Sequence, residues 1–221
     1  MPTPDLQSLA AQVTCAAIVD AMGRAHDHRA HLLDLVSPTP GKVLFGPAVT
    51  LAYFPYRHDL QDSERHNFAR LYYEAVGNAP AGKVLVLSSG GHRDASLGGG
   101  TKLSRLHNQG LAGLLCDGRL RDFHELAAYR FVTYCAGETT RWGGDRVMPF
   151  AANVPVVVDG VGVLPGDYVY ADGAGAVIVP AGDVRAVLEE AVRIEAADAR
   201  FIEQIRAEDP DAVRKRGSRE Q

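Results

Sequence analysis

The sequence predicts a single α/β domain, and three features support this class. Two short, almost wholly apolar runs, at residues 83–87 and 111–116, have the length and flanking glycines of buried strands. The segment between them, from about Lys102 to Gln109, has the pattern of a helix, and a long amphipathic helix is expected from Asp183 to about Ala207. Continuous apolar strands are typical of a sheet covered on both faces. We therefore expect a layered sheet with helices.

The remaining segments fit the same domain. Apolar residues at helical spacing predict an opening helix over residues 5–25, and the segment from Gly46 to Tyr53 is a predicted strand. A helix is expected at about 68–76. From 154 to 180, short runs separated by turn residues predict antiparallel strands. No linker or repeat divides the chain, so residues 1–210 are expected to form one domain.

Length, charge and cysteine content exclude several classes of protein. A chain of 221 residues is long enough for one domain with a substantial core. The formal charge of −4 gives no footprint for nucleic acid, and the basic residues near the end, 211–221, predict a disordered tail. No apolar run approaches the roughly 18 residues that cross a bilayer, and no membrane partner is expected.

The number and spacing of the cysteines indicate a reducing compartment. Cys15, Cys116 and Cys135 show no metal-type spacing, and their odd number argues against a secreted disulfide framework. The first residues also lack the basic and apolar regions of a secretory signal. We expect a cytoplasmic protein.

The most informative residues are Arg121 and Asp122, which follow the apolar run at 111–116. Open α/β sheets place their chemistry at the carboxyl ends of strands. An arginine offers a planar fork of donors to a carboxylate, and an aspartate can hold a hard divalent cation whose remaining ligands are waters. Together the pair could bind and polarise a 2-oxo acid. The alternative is an ordinary helix-capping aspartate beside a surface arginine.

A glycine-rich loop supplies a second candidate binding element. Gly98, Gly99 and Gly100 precede Thr101 and Lys102 at the start of a predicted helix. Such a helix start can present backbone N–H groups to a carboxylate or phosphate, and the helix dipole favours an anion there. The spacing of a P-loop and of a dinucleotide-binding fingerprint is absent, which argues against a nucleotide. The alternative is a flexible turn before a helix.

Several linked motifs resemble the RraA-like family. These segments occur in the family's order and spacing: GPAVTL (46–51), GKVLVLSSGG (82–91), GLAGLLCDGRLRD (110–122), NVPVVVDGVGVLPGDYVYADGAGAVIVP (153–180) and a C-terminal acidic helix. The family contains metal-dependent 4-hydroxy-4-methyl-2-oxoglutarate aldolases, which also decarboxylate oxaloacetate. It also contains the non-catalytic RraA regulators of ribonuclease E.

The resemblance implies a fold and a site. The fold would be an αββα sandwich of the swivelling phosphohistidine type, assembled as a homotrimer or homohexamer with active sites between subunits. Asp122 would bind Mg²⁺ or Mn²⁺, Arg121 would hold pyruvate, and backbone amides near Gly99 to Lys102 would bind the pyruvyl carboxylate. RraA regulators typically lack the aspartate, which this chain keeps.

The loop departs from the family pattern in one respect. The family's aldolases usually carry an acid at the position of Gly100, where it supports the water shell of the metal. Either Asp94 or a residue of another subunit replaces that acid, or the substrate differs. Lys102, His92 and Arg93 add positive charge to the loop. We therefore expect His92 and Lys102 to contact substrate, and the substrate to carry a further anionic group.

Weaker candidates complete the prediction. Glu195 is the best candidate for an acid that a neighbouring subunit contributes to the metal, although Glu189, Glu190 and Glu203 compete with it. For Asp172, a strand-closing Asx turn is at least as good an interpretation as catalysis. Trp142 is interpreted as a packing or interface residue. The histidines show no helical HxxxH ligand pair.

The functional hypothesis is a divalent-metal-dependent lyase of class II type. It would cleave or decarboxylate a 2-oxo acid through a pyruvate enolate, with Arg121 and Asp122 as its catalytic residues. Two alternatives remain open: a non-catalytic RraA-type regulator that binds a ribonuclease, and a biosynthetic lyase with an unusual anionic substrate.

Overall fold

The computed structural model of the protein describes residues 5–23 and 26–217, and all structural statements below concern this part of the chain. The helices are α1 (Leu6–Ala10), α2 (Cys15–Met22), α3 (Phe68–Val76), α4 (Gly100–Gln109), α5 (Phe123–Ala128), α6 (Val184–Arg206) and α7 (Pro210–Gly217). The strands are β1 (His31–Leu32), β2 (Leu44–Pro55), β3 (Val84–Ser88), β4 (Ser96–Gly98), β5 (Gly113–Cys116), β6 (Arg119–Leu120), β7 (Val132–Tyr134), β8 (Val147–Ala152), β9 (Val156–Val158), β10 (Val161–Val163), β11 (Tyr168–Asp172) and β12 (Gly175–Val179).

One mixed sheet organises the domain. Its strand order is β1-β12-β11-β2-β3-β5-β7, and β8 pairs with β2 outside this path. The half formed by β2, β3, β5 and β7 is parallel, whereas β1, β12 and β11 are antiparallel and join it through β2. Helix α4 connects the parallel neighbours β3 and β5, which confirms the predicted strand-helix-strand unit. Two small sheets, β9–β10 and β4–β6, lie outside the main sheet.

Alternate side chains of each strand enter different cores. In β3, Val84 and Val86 join a core shared with both halves of the sheet and with the β9–β10 hairpin. Leu85 and Leu87 point the other way, into a core built with α3 and α4. In the antiparallel half, the face of the sheet that carries Leu85 and Leu87 continues and packs against α1, α2 and α6. Helices therefore cover both halves of the sheet, and the predicted α/β class is confirmed.

Several predicted boundaries need correction. The expected helix over 5–25 is two helices, because Thr14 has extended backbone angles and its side chain accepts a hydrogen bond from the N–H of Ala17 at the start of α2. Strand β2 is longer than the predicted segment from Gly46. Where a disordered tail was expected from 211, residues 210–217 form α7, and residues 218–221 lie outside the described part. No described helix is long and apolar enough to span a membrane.

The carboxyl edge of the parallel strands is occupied by a structural aspartate. Asp117 follows β5, and its carboxylate accepts hydrogen bonds from the N–H groups of Ser89 (2.6 Å) and Asp159 (3.3 Å). Burial raises the pKa of Asp117 above its ordinary value. These contacts fix the loop after β3 and the β9–β10 turn to the sheet.

Candidate active site

The small β4–β6 sheet brings the glycine loop to the Arg121–Asp122 pair. Strands β4 and β6 run parallel, and the N–H of Arg121 donates a hydrogen bond to the carbonyl of Gly98 (3.0 Å). The charged pair thus follows β6 rather than β5, which corrects the expectation that the run at 111–116 delivers it directly. Strand β4 is followed by α4, which begins at Gly100, and strand β6 is followed by α5, which begins at Phe123. The two helix starts therefore lie side by side.

Asp122 does not cap the helix that it precedes. Its backbone is left-handed (φ 64°, ψ 48°), and its side chain makes no capping hydrogen bond to α5. The Glu138 carboxylate accepts the N–H of Phe123 instead (2.9 Å). One carboxylate oxygen of Asp122 accepts a hydrogen bond from the N–H of Gly100, the first residue of the neighbouring helix α4 (3.1 Å). A strained left-handed conformation costs about 1–3 kcal/mol and is typical of functional sites. Asp122 therefore does not cap α5, and its carboxylate instead accepts the first N–H of α4.

Gly99 and Gly100 are required by this close approach. A β-carbon on Gly99 would lie 2.6 Å from a carboxylate oxygen of Asp122. A β-carbon on Gly100 would lie 1.6 Å from a carboxylate oxygen of Glu125, a residue of α5. A side chain at either position would therefore displace one of these carboxylates from the first turn of α4.

The start of α4 retains free hydrogen-bond donors. Gly99 occupies the N-cap position and contributes no side chain, and no described residue accepts the N–H groups of Thr101 and Lys102. Arg121 is exposed, and its guanidinium has no hydrogen-bond or ion-pair partner within the described ranges. Free donors, the helix dipole and a guanidinium thus converge beside Asp122.

A cleft of about 420 Å³ opens onto these groups. Its polar wall includes Gly99, Thr101, Lys102, Arg121 and Asp122. The ammonium of Lys102 lies 5.7 Å from the ring centroid of Phe68. Burial, and then the neighbouring Arg105, lowers the pKa of Lys102. The predicted binding residues of the loop therefore do gather around the charged pair.

Much of the remaining lining is apolar, and we refer to it as the apolar wall. It includes Tyr53, Leu97, Trp142, Val147 and Pro149. Trp142 is 65% exposed, and its ring packs against Gly144, where a β-carbon would lie 2.3 Å from the indole. The buried hydroxyl of Tyr53 donates to the carbonyl of Leu97 and fixes this wall to β4. The cleft thus has one charged wall and one apolar wall.

Comparison with known proteins identifies the family. The sequence matches the RraA-like family, described as Aldolase/RraA, over residues 15–178. The chain belongs to the RraA-like family. The resemblance drawn from the sequence motifs is confirmed.

Individual relatives of this RraA-like protein carry different names. The protein DlpA of Legionella pneumophila is 24% identical over 170 residues, which make up 77% of this chain and 27% of DlpA. A Halalkalibacterium halodurans protein with the provisional name 4-hydroxy-4-methyl-2-oxoglutarate aldolase is 30% identical over 125 residues, 57% of this chain and 59% of that relative. This chain therefore spans less than two thirds of the length of either relative.

A solved structure shows the same fold. Streptomyces coelicolor RraAS2, described as an unusual member of the RNase ES inhibitor RraA protein family, matches with a TM-score of 0.76. It is 27% identical, and the match covers 90% of this chain and 97% of RraAS2. The predicted RraA-like fold class is confirmed, and both aldolase and regulator names occur among the relatives.

Two predicted contributors to the site of this RraA-like protein lie outside the cleft. His92, expected to contact substrate, lies in the turn after β3 and does not line the cleft. Asp94, a candidate replacement for the acid missing at Gly100, pairs with Arg141 (3.1 Å) and Arg146 (3.7 Å). Arg93 pairs with Asp159 (2.7 Å). Of the extra cations, Lys102 alone lines the cleft among the described residues.

Glu195 and Asp172 serve α2 within the chain. One Glu195 oxygen accepts both the N–H (3.1 Å) and the hydroxyl (2.7 Å) of Thr14. The Asp172 carboxylate accepts the N–H of Cys15 (2.8 Å) and closes an Asx turn to Ala174 (2.8 Å). A role for Glu195 at the metal of a neighbouring subunit stays a prediction.

Sequence reasoning missed two residues in or near the cleft. Trp142 was interpreted as packing, yet it forms part of the apolar wall; the glycine pair that follows it in WGG was an available signal. Glu125 was not considered, although its spacing of three residues from Asp122 places both on one face of a helix.

Proposed function

We propose that this protein is a divalent-metal-dependent lyase that cleaves or decarboxylates a 2-oxo acid. The observation that carries the proposal is Asp122, whose strained backbone turns its carboxylate away from its own helix and toward the open start of α4. The aldolase name of the Halalkalibacterium relative supports the reaction class.

The residues at the site fit a hard divalent cation. Within the described residues, no group of three or more His, Cys, Asp and Glu side chains is arranged to hold a metal, which argues against a zinc-type centre. Asp122 is a half-buried carboxylate with one oxygen on the N–H of Gly100. Mg²⁺ and Mn²⁺ accept one or two carboxylates and keep several waters. A cation held at Asp122 would polarise the 2-oxo group of a bound substrate as a Lewis acid.

The chain's own donors would hold the substrate carboxylate. The guanidinium of Arg121 has no partner in the described chain and can bind a carboxylate with two parallel hydrogen bonds. Thr101 and Lys102, whose N–H groups have no acceptor in the described chain, line the same cleft. These donors would also stabilise negative charge that develops on the substrate when the carbon–carbon bond breaks.

The two walls of the cleft define a substrate class. The carboxylate end would lie at Arg121 and the start of α4. Lys102 offers one further cation for a second anionic group, while Trp142 and Pro149 would contact an apolar portion. The expected further anionic group therefore depends on Lys102 and not on His92.

Metal-dependent turnover of oxaloacetate tests the proposal. We expect decarboxylation that EDTA abolishes and that added Mg²⁺ or Mn²⁺ restores. Turnover that persists in EDTA, or none with any 2-oxo acid tested, would contradict the proposal. Sedimentation analysis of the same sample tests the expected trimer or hexamer.

An RraA-type regulator is the second candidate, because RraAS2 shares the fold at 27% identity. Pulldown with a purified ribonuclease of the RNase E type separates the two. Specific binding by a protein that lacks metal-dependent turnover would favour the regulator.

A further inference from the structure

Asp122 adopts a conformation that its place in the chain does not favour. It occupies the N-cap position of α5, where an aspartate with an extended backbone normally accepts an N–H of the first helical turn. Its backbone is left-handed instead, a region that residues with a β-carbon seldom adopt. Asp122 would therefore gain a cap and lose strain by turning its carboxylate toward α5. Because that change would withdraw the carboxylate from Gly100, another group must oppose it.

Glu138 opposes this change by occupying the start of α5. One oxygen of its carboxylate accepts the N–H of Phe123, the first residue of the helix (2.9 Å). The carbonyl of Asp122 accepts the N–H groups of Glu125 and Leu126 (3.0 Å each). A carboxylate at this end of the helix also interacts favourably with the helix dipole. With Glu138 in place, the start of α5 gains less from a cap by Asp122.

The backbone around Glu138 is held against β6, the strand that leads to the charged pair. The N–H of Leu120 donates to the carbonyl of Gly137, and the N–H of Thr139 donates to the carbonyl of Leu120 (2.9 Å each). The guanidinium of Arg119 donates to the carbonyl of Glu138 itself (2.9 Å). The cap and the charged pair are therefore fixed to the same strand, which sets their relative position.

The side chain of Glu138 lies next to the charged pair. Glu138 lines a second cleft, of about 560 Å³, together with Arg121 and Asp122. Among the described residues, no lysine or arginine forms a salt bridge with Glu138, and its carboxylate accepts the N–H of Phe123. Two roles are therefore open to it: a cap that sets the position of Asp122, or a charge that acts on a ligand directly. The hydrogen bond to a backbone donor favours the cap.

We propose that Glu138 is a positioning residue that keeps Asp122 in its left-handed conformation. By capping α5 in place of Asp122, it leaves the Asp122 carboxylate at the start of α4, where a divalent cation can bind. Without Glu138, Asp122 would cap α5 in a fraction of the molecules, and the apparent affinity for the cation would fall accordingly. This inference rests on the proposed function, because it assumes a cation at Asp122.

Mn²⁺ binding to the purified protein, measured by electron paramagnetic resonance without substrate, tests the inference. Glu138→Ala should weaken Mn²⁺ binding about 5-fold, the factor that corresponds to the loss of a helix cap worth about 1 kcal/mol. Glu138→Gln should restore most of the affinity, because its amide oxygen can accept the same N–H. If Glu138→Gln binds Mn²⁺ as weakly as Glu138→Ala, the charge of Glu138 acts instead of the cap and the proposal is wrong.

A matched cap deletion elsewhere provides the control. Asn67 caps α3 by accepting the N–H groups of Ala69 (2.9 Å) and Arg70 (3.3 Å), and it does not line the cleft. Asn67→Ala should lower Tm and leave Mn²⁺ binding unchanged. If Asn67→Ala weakens Mn²⁺ binding as much as Glu138→Ala does, the effect reflects stability alone and overturns the proposal.

Thermal unfolding tests whether Asp122 takes over the cap. In the wild-type background, Glu138→Ala should lower Tm only slightly, because Asp122 can cap α5 instead. In the Asp122→Ala background no such replacement exists, so Glu138→Ala should lower Tm by about 2–4 °C. Equal losses of Tm in the two backgrounds would contradict the coupling between Glu138 and Asp122.

Asp122→Ala alone separates this inference from the proposed function. If Asp122→Ala loses Mn²⁺ binding while Glu138→Ala binds as tightly as the wild type, the role of Glu138 is wrong and the proposed function stands. If neither substitution weakens Mn²⁺ binding, both are wrong.

Discussion

Two helix starts in this molecule are both surrounded by acidic side chains, yet they use them differently. At α2, Thr14 caps the helix, Asp172 accepts the N–H of Cys15, and Glu195 accepts both donors of Thr14. At α4, Gly99 provides no cap, and the N–H groups of Thr101 and Lys102 have no acceptor in the described chain. The first arrangement provides acceptors for the N–H groups of Cys15 and Ala17 and stabilises the fold. The second provides an acceptor for the N–H of Gly100 and leaves those of Thr101 and Lys102 open.

This difference separates acids that have a structural contact within the subunit from Asp122. Asp172 and Glu195 both accept hydrogen bonds at the start of α2. Asp122 gives up the favourable role of capping α5, which Glu138 takes over, and adopts a strained backbone. An acid that is held at an energetic cost and remains half-exposed is the better candidate for a ligand site.

The largest effect is expected at Asp122. Asp122→Ala should reduce decarboxylation of oxaloacetate to the level of the EDTA-treated wild type, because the cation loses its protein ligand. The fold should persist, since the carboxylate makes one hydrogen bond, to Gly100. Steady-state rates with and without Mn²⁺ check this. Full EDTA-sensitive turnover in the variant would place the metal elsewhere.

A smaller effect is expected at Arg121. Arg121→Lys should raise KM about 10- to 100-fold, because an ammonium cannot reproduce a two-pronged hydrogen bond worth about 1.5–3 kcal/mol. Titration of the rate against substrate concentration measures it. Arg130→Lys, a matched substitution outside the cleft, should leave KM unchanged; equal kinetics in both variants would remove Arg121 from the site.

Lys102 should discriminate among substrates. Lys102→Ala should raise KM about 5-fold for a 2-oxo acid with a second carboxylate, which corresponds to a loss of about 1 kcal/mol. For a 2-oxo acid that lacks a second carboxylate, KM should not change. Burial lowers the pKa of Lys102, and the ammonium loses its charge as pH rises through that pKa. The advantage of the second carboxylate should therefore be present at neutral pH and be lost on raising the pH, before the ordinary lysine pKa of about 10.4 is reached. Lys102→Arg should remove that pH dependence. Equal KM changes for both substrates would contradict a pocket for a second anion.

The smallest functional effect is expected at the other helix start. Thr14→Ala removes the cap of α2 and should lower the free energy of unfolding by about 1 kcal/mol, which is about 2–4 °C in Tm. The Mn²⁺ affinity should not change. Thermal unfolding followed by circular dichroism gives the first value. If Thr14→Ala lowers the Mn²⁺ affinity as well as the stability, the proposed difference between the starts of α2 and α4 is wrong.

The elements that could be predicted are those with a local sequence signal, whereas those set by long-range packing could not. The apolar runs at β3 and β5 and the spacing of α3 and α6 are local signals, and the structure confirms these elements. Strands β4 and β6 contain three and two residues, too few for any periodic pattern, so the sheet that delivers Arg121 and Asp122 was missed. The break before α2 was signalled by Thr14, a favoured N-cap residue.

The site was predictable to the extent that it is contiguous in sequence. Gly99 to Lys102 and the Arg121–Asp122 pair were identified, whereas His92 lies in the turn after β3 and does not line the cleft. The apolar wall combines distant segments around Tyr53 and Trp142. Such a juxtaposition is set by the sheet and has no signature in the local sequence.

A crystal grown with Mn²⁺ and oxalate, a stable mimic of the pyruvate carboxylate and 2-oxo oxygens, tests the central claim most directly. The anomalous difference map should show Mn²⁺ bonded to a carboxylate oxygen of Asp122, with oxalate held by Arg121 and the N–H groups of Thr101 and Lys102. A metal peak at the Glu195 and Asp172 cluster of the same chain, or none at Asp122, would contradict the account.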